Sequence, residues 1–283
     1  MIGWLIYNET DAKRNEWLIS EYQSYASNKG IELKLILADN LDFGVINNKY
    51  IFLYNNNICV IPDFVICRCI YPLLNKQFEL MGIPVFNNYH VSSICNDKRK
   101  THQYLTGNNI EMMDTLFLNR RFIGSSKEFF YPSIIKSIDG HGGKEVYYVR
   151  NKEELTSVIE NLKSDEFLIQ KVASNIGTDI RVYVLGKNII AAILRKSNND
   201  YRSNFSLGGI PSLYVLSDNE IKIVQRIVDM FDFGLVGIDF IIDDGKIKLN
   251  EIEDVVGSRM LYKLTSIKTH ELYLDFIIDH LER

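Results

Sequence analysis

The sequence predicts an α/β unit over about residues 1–90 joined to an α+β unit over about residues 91–283. Strand-like and helix-like stretches alternate through the first third of the chain, the pattern of a mainly parallel sheet. Beyond it, strands group apart from helices, which does not continue the βαβ winding. The chain has 283 residues, 46% hydrophobic and 24% charged, enough for two or three packed units.

The elements follow in order. Residues 3–7 (GWLIY) form a short apolar strand, and 13–29 carry helical periodicity through Trp17, Leu18, Tyr22 and Tyr25 with Gly30 as a stop. Residues 31–37 alternate as a strand, YIFLY and ICVI flank a turn at Asn55-Asn56-Asn57, and 63–69 form another strand. Pro72 opens a helix that Gly82 closes. A helix near 97–106 precedes strands near 115–118, 133–136 and 145–149. Asn151 with Glu154, and Ser217 with Glu220, are capping-box starts for two amphipathic helices. Between them lie the strands FLIQKV, DIRVYVLG and NIIAAILRK, and after them GLVGIDFII and KIKLNEIE.

Charge and cysteine content exclude several classes. Thirty-six acids against thirty-two bases give a net charge of -4, unlike a protein that binds nucleic acid through a strongly basic surface. No apolar run reaches the roughly 18 residues of a membrane span, and the N-terminus lacks the basic region of a signal peptide. Cys59, Cys67, Cys69 and Cys95 show no metal-ligand spacing and read as reduced thiols of a cytoplasmic protein.

Chemistry concentrates near the C-terminus. Asp239 interrupts an apolar strand, and Glu251 and Glu253 end the next one. A three-residue loop, Asp243-Asp244-Gly245, sets Asp239 opposite Leu249 and diagonal to Glu251, about 7–8 Å away at the backbone. Alternation then puts Asp239, Glu251 and Glu253 on one face; a two-residue loop puts Asp239 on the other. Three half-buried acids repel one another unless a divalent cation joins them, and hard oxygen ligands without His or Cys suit magnesium or manganese. A solvated acidic hairpin edge is the plainer alternative.

Lys136 stands on a strand just before Gly140, His141, Gly142 and Gly143. Glycines let backbone N–H groups approach a phosphate, and the lysine reaches it as a point charge. The same residues also suit an ordinary turn. Arg181, Arg195 and Arg202 lie in or beside strands, and strand arginines that face inward need anions. A carboxylate substrate needs a fixed cation, for which Arg259, beside the acidic strand end, and Arg68 are the candidates.

Taken in order, KQFELMGIPVFNN, NDKRKTHQYL, IIKSIDGHGG, FLIQKV, DIRVYVLG, YRSNFSLGG and GIDFII with LNEIE resemble the ATP-grasp superfamily, and within it the RimK-like carboxylate–amine ligases. The resemblance implies a small pre-ATP-grasp domain over 1–90 and an ATP-grasp domain over 91–283, divided near 173 into a central (91–173) and a C-terminal (174–283) subdomain. It implies that Lys98 and Lys136 bind ATP phosphates under a lid of Gly140 to Gly143 with His141. It puts Gln170, Lys171 and Val172 along the adenine edge, Asp179 near the sugar, and Arg202, Ser203 and Asn204 at the phosphates. Arg181 would stabilise the transferred charge, with Asp239, Glu251 and Glu253 on magnesium or manganese.

Three departures stand out. The usual Glu-x-Asn is here Glu251-Ile252-Glu253, which adds a negative charge, and Lys171 stands where an acid is common. Asp254 to Arg259 replace the usual Ser-Pro-Gly, so the acceptor chemistry does not carry over. The implied activity is ATP-dependent amide formation through an acyl phosphate between a small carboxylate and an amine, or on a peptide or protein acceptor. Phosphotransfer to a hydroxyl, or a nucleotide-binding regulator with little turnover, are the alternatives. Nucleic acid and membrane are not expected partners, and homo-oligomers are compatible with the sequence.

Overall fold

The computed structural model describes residues 1–123, 129–138, 145–197, 202 and 209–282. The N-terminal elements are β1 (Ile2–Tyr7), α1 (Glu9–Arg14), α2 (Glu16–Asn28), β2 (Glu32–Leu37), β3 (Leu41–Ile46), β4 (Lys49–Tyr54), β5 (Asn57–Ile58), β6 (Phe64–Cys67), α3 (Pro72–Leu80) and β7 (Val85–Phe86). A parallel sheet runs β2-β1-β6-β7, as the alternation predicts. In the three-stranded antiparallel ribbon β3-β4-β5, the β4–β5 hairpin is the one the sequence predicts, and β3 is added to it. Its turns at Asn47-Asn48 and Asn55-Asn56 all have positive φ, a conformation asparagine tolerates well in two-residue hairpins. Pro72 is the first residue of α3, and Gly82 follows with φ +76°.

After α4 (Tyr89–Cys95) and α5 (Lys98–Leu105) come β8 (Thr115–Asn119), β9 (Ser133–Ser137), β10 (Val146–Val149), α6 (Lys152–Asn161) and β11 (Glu166–Lys171). The four strands pair antiparallel in the order β10-β9-β11-β8. The last part holds β12 (Thr178–Leu185), β13 (Asn188–Lys196), β14 (Ile210–Leu213), α7 (Asp218–Asp229), β15 (Leu235–Asp243), β16 (Lys246–Glu253), α8 (Arg259–Leu264) and α9 (Thr269–Leu281). Its antiparallel sheet runs β14-β13-β12-β15-β16. Ser217 and Glu220 cap α7 reciprocally, while at α6 Asn151 accepts from the Glu154 amide and the Glu154 carboxylate accepts from the Arg150 N–H instead of closing the box.

Burial of this five-stranded sheet on both faces positions the site. One face packs Val182, Val184 and Phe240 against Val91, Cys95 and Leu105 of α4–α5 and Val224 and Ile227 of α7. The other packs Tyr183, Ile193 and Leu235 with Leu5, Tyr22 and Phe64 of the N-terminal sheet layer and with Tyr273 and Ile277 of α9. Every residue of β12 is buried as a result. The residues at 89–112 thus lie on the C-terminal sheet, and the Leu249 amide donates to the Glu111 carbonyl.

Asn87 ties the layers together. Its buried amide donates to the carbonyls of Leu235 and Asp254 and to Asp254 Oδ1, and its oxygen accepts from the Gly234 N–H at 2.6 Å. Asn87→Ala orphans these buried groups, and a loss of about 3 kcal/mol is expected, read as a lower denaturation midpoint. A midpoint unchanged within error would show that Asn87 does not hold the joint.

Candidate active site

The hairpin of β15 and β16 differs from the sequence expectation in an instructive way. Asp243 pairs with Lys246, so the loop has two residues, Asp244 and Gly245, with φ +49° and +73°. That loop alone would turn Asp239 to the wrong face. A β-bulge corrects it: the register shifts between Asp239 and Phe240, leaving Asn250 as the extra residue. Asp239 therefore lies directly opposite Glu251, and Gly237 opposite Glu253. The expected Asp239–Leu249 pairing is replaced by Phe240–Leu249.

The three acids converge. Oxygen atoms of Asp239, Glu251 and Glu253 all lie within 4.8 Å of one another. An octahedral magnesium spaces its ligand oxygens at about 3.0 to 4.2 Å, so the trio fits with a small closure. All three side chains are carboxylates, the donor chemistry magnesium prefers.

Cations surround them. Cross-strand register pairs Arg181 of β12 with Asp239 and Arg195 of β13 with Asp179. Arg181 donates from Nε and Nη2 to the two oxygens of Asp239 at 2.7 and 2.6 Å, and Nη2 also lies 2.6 Å from Glu253. Arg195 forks onto Asp179 and reaches Asp239 Oδ2 at 2.7 Å. Asp239 is fully buried, at 0% exposure, and such a carboxylate persists only because two guanidinium groups hold it.

Lys98, the first residue of α5, places Nζ 2.9 Å from Glu251. Lys136 on β9 donates to Gln170 Oε1 at 2.8 Å and to Asn250 Oδ1 at 2.7 Å, so the bulge residue faces the second lysine. Burial pushes Glu251 upward, but Lys98 and Lys136 outweigh it and hold the carboxyl at about 2. Burial, reinforced by Lys98 against the pull of Glu251, lowers Lys136 to about 8. Burial raises Glu253 against the opposing pull of Arg181. His102, one turn beyond Lys98, is lowered to about 4 by burial and then by Lys136, so it stays neutral.

The remaining expected residues fall as follows. Asp179 is engaged by Arg195, and Arg181 by two acids. The Gln170 side chain is turned to Lys136 and Thr115, and the Lys171 amide donates to the Asp114 carbonyl, so that N–H is not offered outward. Val172 follows directly after β11. Arg202 is half-buried. Gly140, His141, Gly142, Gly143, Ser203 and Asn204 lie outside the described residues. Arg259 opens α8 and lines a cleft beside Glu253, together with Arg68. Sequence reasoning treated Arg195 only as an arginine in need of an anion and missed Asn250; nothing local in the sequence marks the bulge.

This geometry has recognisable relatives. Residues 95–277 match the family described as the RimK-like ATP-grasp domain. The chain is 34% identical over 263 residues to the uncharacterized protein MG011 of Mycoplasma genitalium, covering 91% of this chain and 85% of that one. It is 27% identical over 249 residues to human N-acetylaspartylglutamate synthase A, covering 82% of this chain and 64% of that protein. A D-alanine–D-alanine ligase from Bacillus anthracis complexed with ATP shares the fold with a TM-score of 0.70 at 16% identity, covering 100% of this chain and 97% of that one. With its helices, mixed sheets and acidic hairpin accounted for, the chain belongs to the RimK-like ATP-grasp family of carboxylate–amine ligases.

Proposed function

We propose that this protein transfers the γ-phosphoryl group of ATP to a carboxylate and joins the resulting acyl phosphate to an amine, releasing ADP and phosphate. The observation that carries the reading is the convergence of Asp239, Glu251 and Glu253 within a shell of four cations. Lys98, Lys136, Arg181 and Arg195 balance Asp179, Asp239, Glu251 and Glu253. Such a site has little net charge of its own for a triphosphate, and a magnesium ion supplies the missing positive charge.

The residues divide the work. Asp239, Glu251 and Glu253 would hold magnesium, with manganese as a substitute. Arg195 and Arg181 hold both oxygens of Asp239, and Arg181 also bridges to Glu253, so an arriving ion would have to share those oxygens with Arg181. Lys98 pairs with Glu251 and Lys136 with Gln170 and Asn250, and phosphate oxygens would displace these present partners. Both lysines then neutralise charge as the phosphoryl group moves. Lys136, lowered to about 8 by burial, remains mostly protonated at neutral pH and keeps that role. Burial of the site excludes the water that would hydrolyse an acyl phosphate.

Residues 1–90 would serve as the pre-ATP-grasp domain and cover the acid-binding side, while 91–283 form the grasp. Glutamate is the amine to test first, since one relative is named N-acetylaspartylglutamate synthase A; small amines and peptide or protein acceptors follow. Among the described residues no helix is long and apolar enough to cross a membrane.

The test is ADP release with acids supplied singly, using hydroxylamine as the amine. Acyl hydroxamate formation that needs magnesium, ATP and an acid is expected. Transfer of the γ-phosphoryl group to an added alcohol with release of ADP, and no hydroxamate from any acid, would show a phosphotransferase instead.

A further inference from the structure

We propose that the outer face of the ribbon β3-β4-β5 is a surface through which two copies of this chain pair. The ribbon is a sheet of its own, separate from the parallel sheet beside it. Its inner face is packed: Leu41 and Phe52 share a core with Trp4 and Phe78, and the Phe52 ring stacks on Phe78 at 4.4 Å. Side chains alternate along a strand. The register therefore turns Asp42, Gly44 and Ile46 of β3, Lys49, Ile51 and Leu53 of β4, and Ile58 of β5 to the outer face. That face is mostly aliphatic, with Ile46 53% and Ile58 84% exposed. The core on the inner side takes in none of Ile46, Ile51, Leu53 and Ile58. An apolar surface rimmed by charged residues marks a place of contact.

Gly44 adds a second, independent sign. The β3–β4 register runs without a bulge, and Gly44 has no positive φ, so the backbone does not require glycine there. A Cβ at this position would meet nothing within 4 Å, so no neighbour in the chain claims the space either. Glycine weakens a strand interior, and where neither bulge nor crowding explains it, it suits the close approach of another backbone.

Charge points to a second copy as the occupant. Asp42 stands at one end of the face, opposite Leu53, and Lys49 at the other, opposite Ile46. Neither makes an ion pair among the described residues. A two-fold axis in the plane between two such faces, crossing the strands near Gly44, turns one ribbon end for end on the other. Asp42 and Lys49 lie on adjacent strands, and the crossing angle of about 30° usual between stacked sheets brings Asp42 of each copy over Lys49 of the other. The two Gly44 backbones then meet at the centre, with the isoleucines closing around them. A partner of a single charge would match only one end of this face. A ribbon of three short strands covers less than the roughly 800 Å² per partner of a standard interface, so the pair forms and dissociates with concentration. The ribbon lends no residue to the acidic hairpin or to the cleft beside it, so this pairing stands or falls apart from the ligase reading.

Sedimentation equilibrium of the full chain over about 1–300 μM tests the pairing, the range suited to an interface of this size. A monomer–dimer equilibrium is expected. Ile58→Asp and Gly44→Val should each weaken association by about tenfold or more. Gly44→Val should leave the melting temperature of the dilute monomer unlowered, because the added side chain meets no neighbour of its own chain. Lys49→Glu should weaken association by about fivefold or more by setting like charges together, and adding Asp42→Lys to it should restore the affinity. A monomer at every concentration leaves the face to some other partner and overturns the proposal. A dimer whose affinity Ile58→Asp and Gly44→Val leave unchanged has its interface elsewhere and overturns it equally. A charge-swapped double variant that pairs no more tightly than Lys49→Glu alone overturns the end-for-end arrangement.

Discussion

Asp239→Asn is expected to abolish ADP release, by about three orders of magnitude or more, and to lower stability as well. The side chain is fully buried and accepts from Arg181 and Arg195 at 2.6 to 2.7 Å. Asparagine keeps the shape but removes the charge, and its NH2 group points a donor at guanidinium donors. Breaking one partner of a buried ion network typically costs about 3–5 kcal/mol. In the proposed site the same change removes one of three metal ligands. Thermal unfolding and ADP release report the two losses separately. Supplying excess magnesium should recover part of the rate and none of the melting temperature. A variant that melts normally and turns over at the wild-type rate would remove Asp239 from both roles.

Metal and nucleotide are expected to bind as a unit, with affinity for magnesium at least a hundredfold higher when ADP or ATP is present. The reason is charge balance. Arg181 and Arg195 already occupy oxygens of Asp239 and Glu253, and Lys98 holds Glu251. A bare dication must compete with these guanidinium and ammonium groups in a half-buried site where charges are strongly coupled. A triphosphate offers Lys98 and Lys136 new partners and frees carboxylate oxygens for the ion. Linkage makes the effect reciprocal, so ADP should bind correspondingly more tightly with magnesium. Titration calorimetry with each component alone and together measures the coupling. Equal magnesium affinity with and without nucleotide would contradict it. Lys98→Met should strengthen binding of the bare ion and weaken binding of nucleotide.

Much of this site was legible because it follows from periodicity and composition. The apolar run of β15 interrupted by Asp239, the acids at the end of β16 and the strand position of Lys136 are local features. The need of Arg181 and Arg195 for anions was also readable. Which anions they meet was not, because Asp179, Asp239 and the two arginines come together only through the registers of three strands. The hairpin shows the limit most sharply. Its Asp244-Gly245 loop favours two residues, and the face of Asp239 is then rescued by a bulge at Asn250 that no local pattern announces. The turn at Asn47-Asn48 and the Asn88 cap of α4 were present as short-range signals. The short apolar runs that flank them leave no clear periodicity to assign. Arg14 and Tyr7 belong to the first strand–helix unit, and only the packing of that unit against the five-stranded sheet brings them to the cleft.

The most direct measurement is anomalous diffraction from crystals grown with manganese and a non-hydrolysable ATP analogue. A manganese peak is expected between Asp239, Glu251 and Glu253, within about 2.0–2.4 Å of their oxygens, and joined to phosphate oxygens on the side of Lys98 and Lys136. Nucleotide bound with no metal at these three carboxylates, or with the metal held elsewhere, would contradict the account.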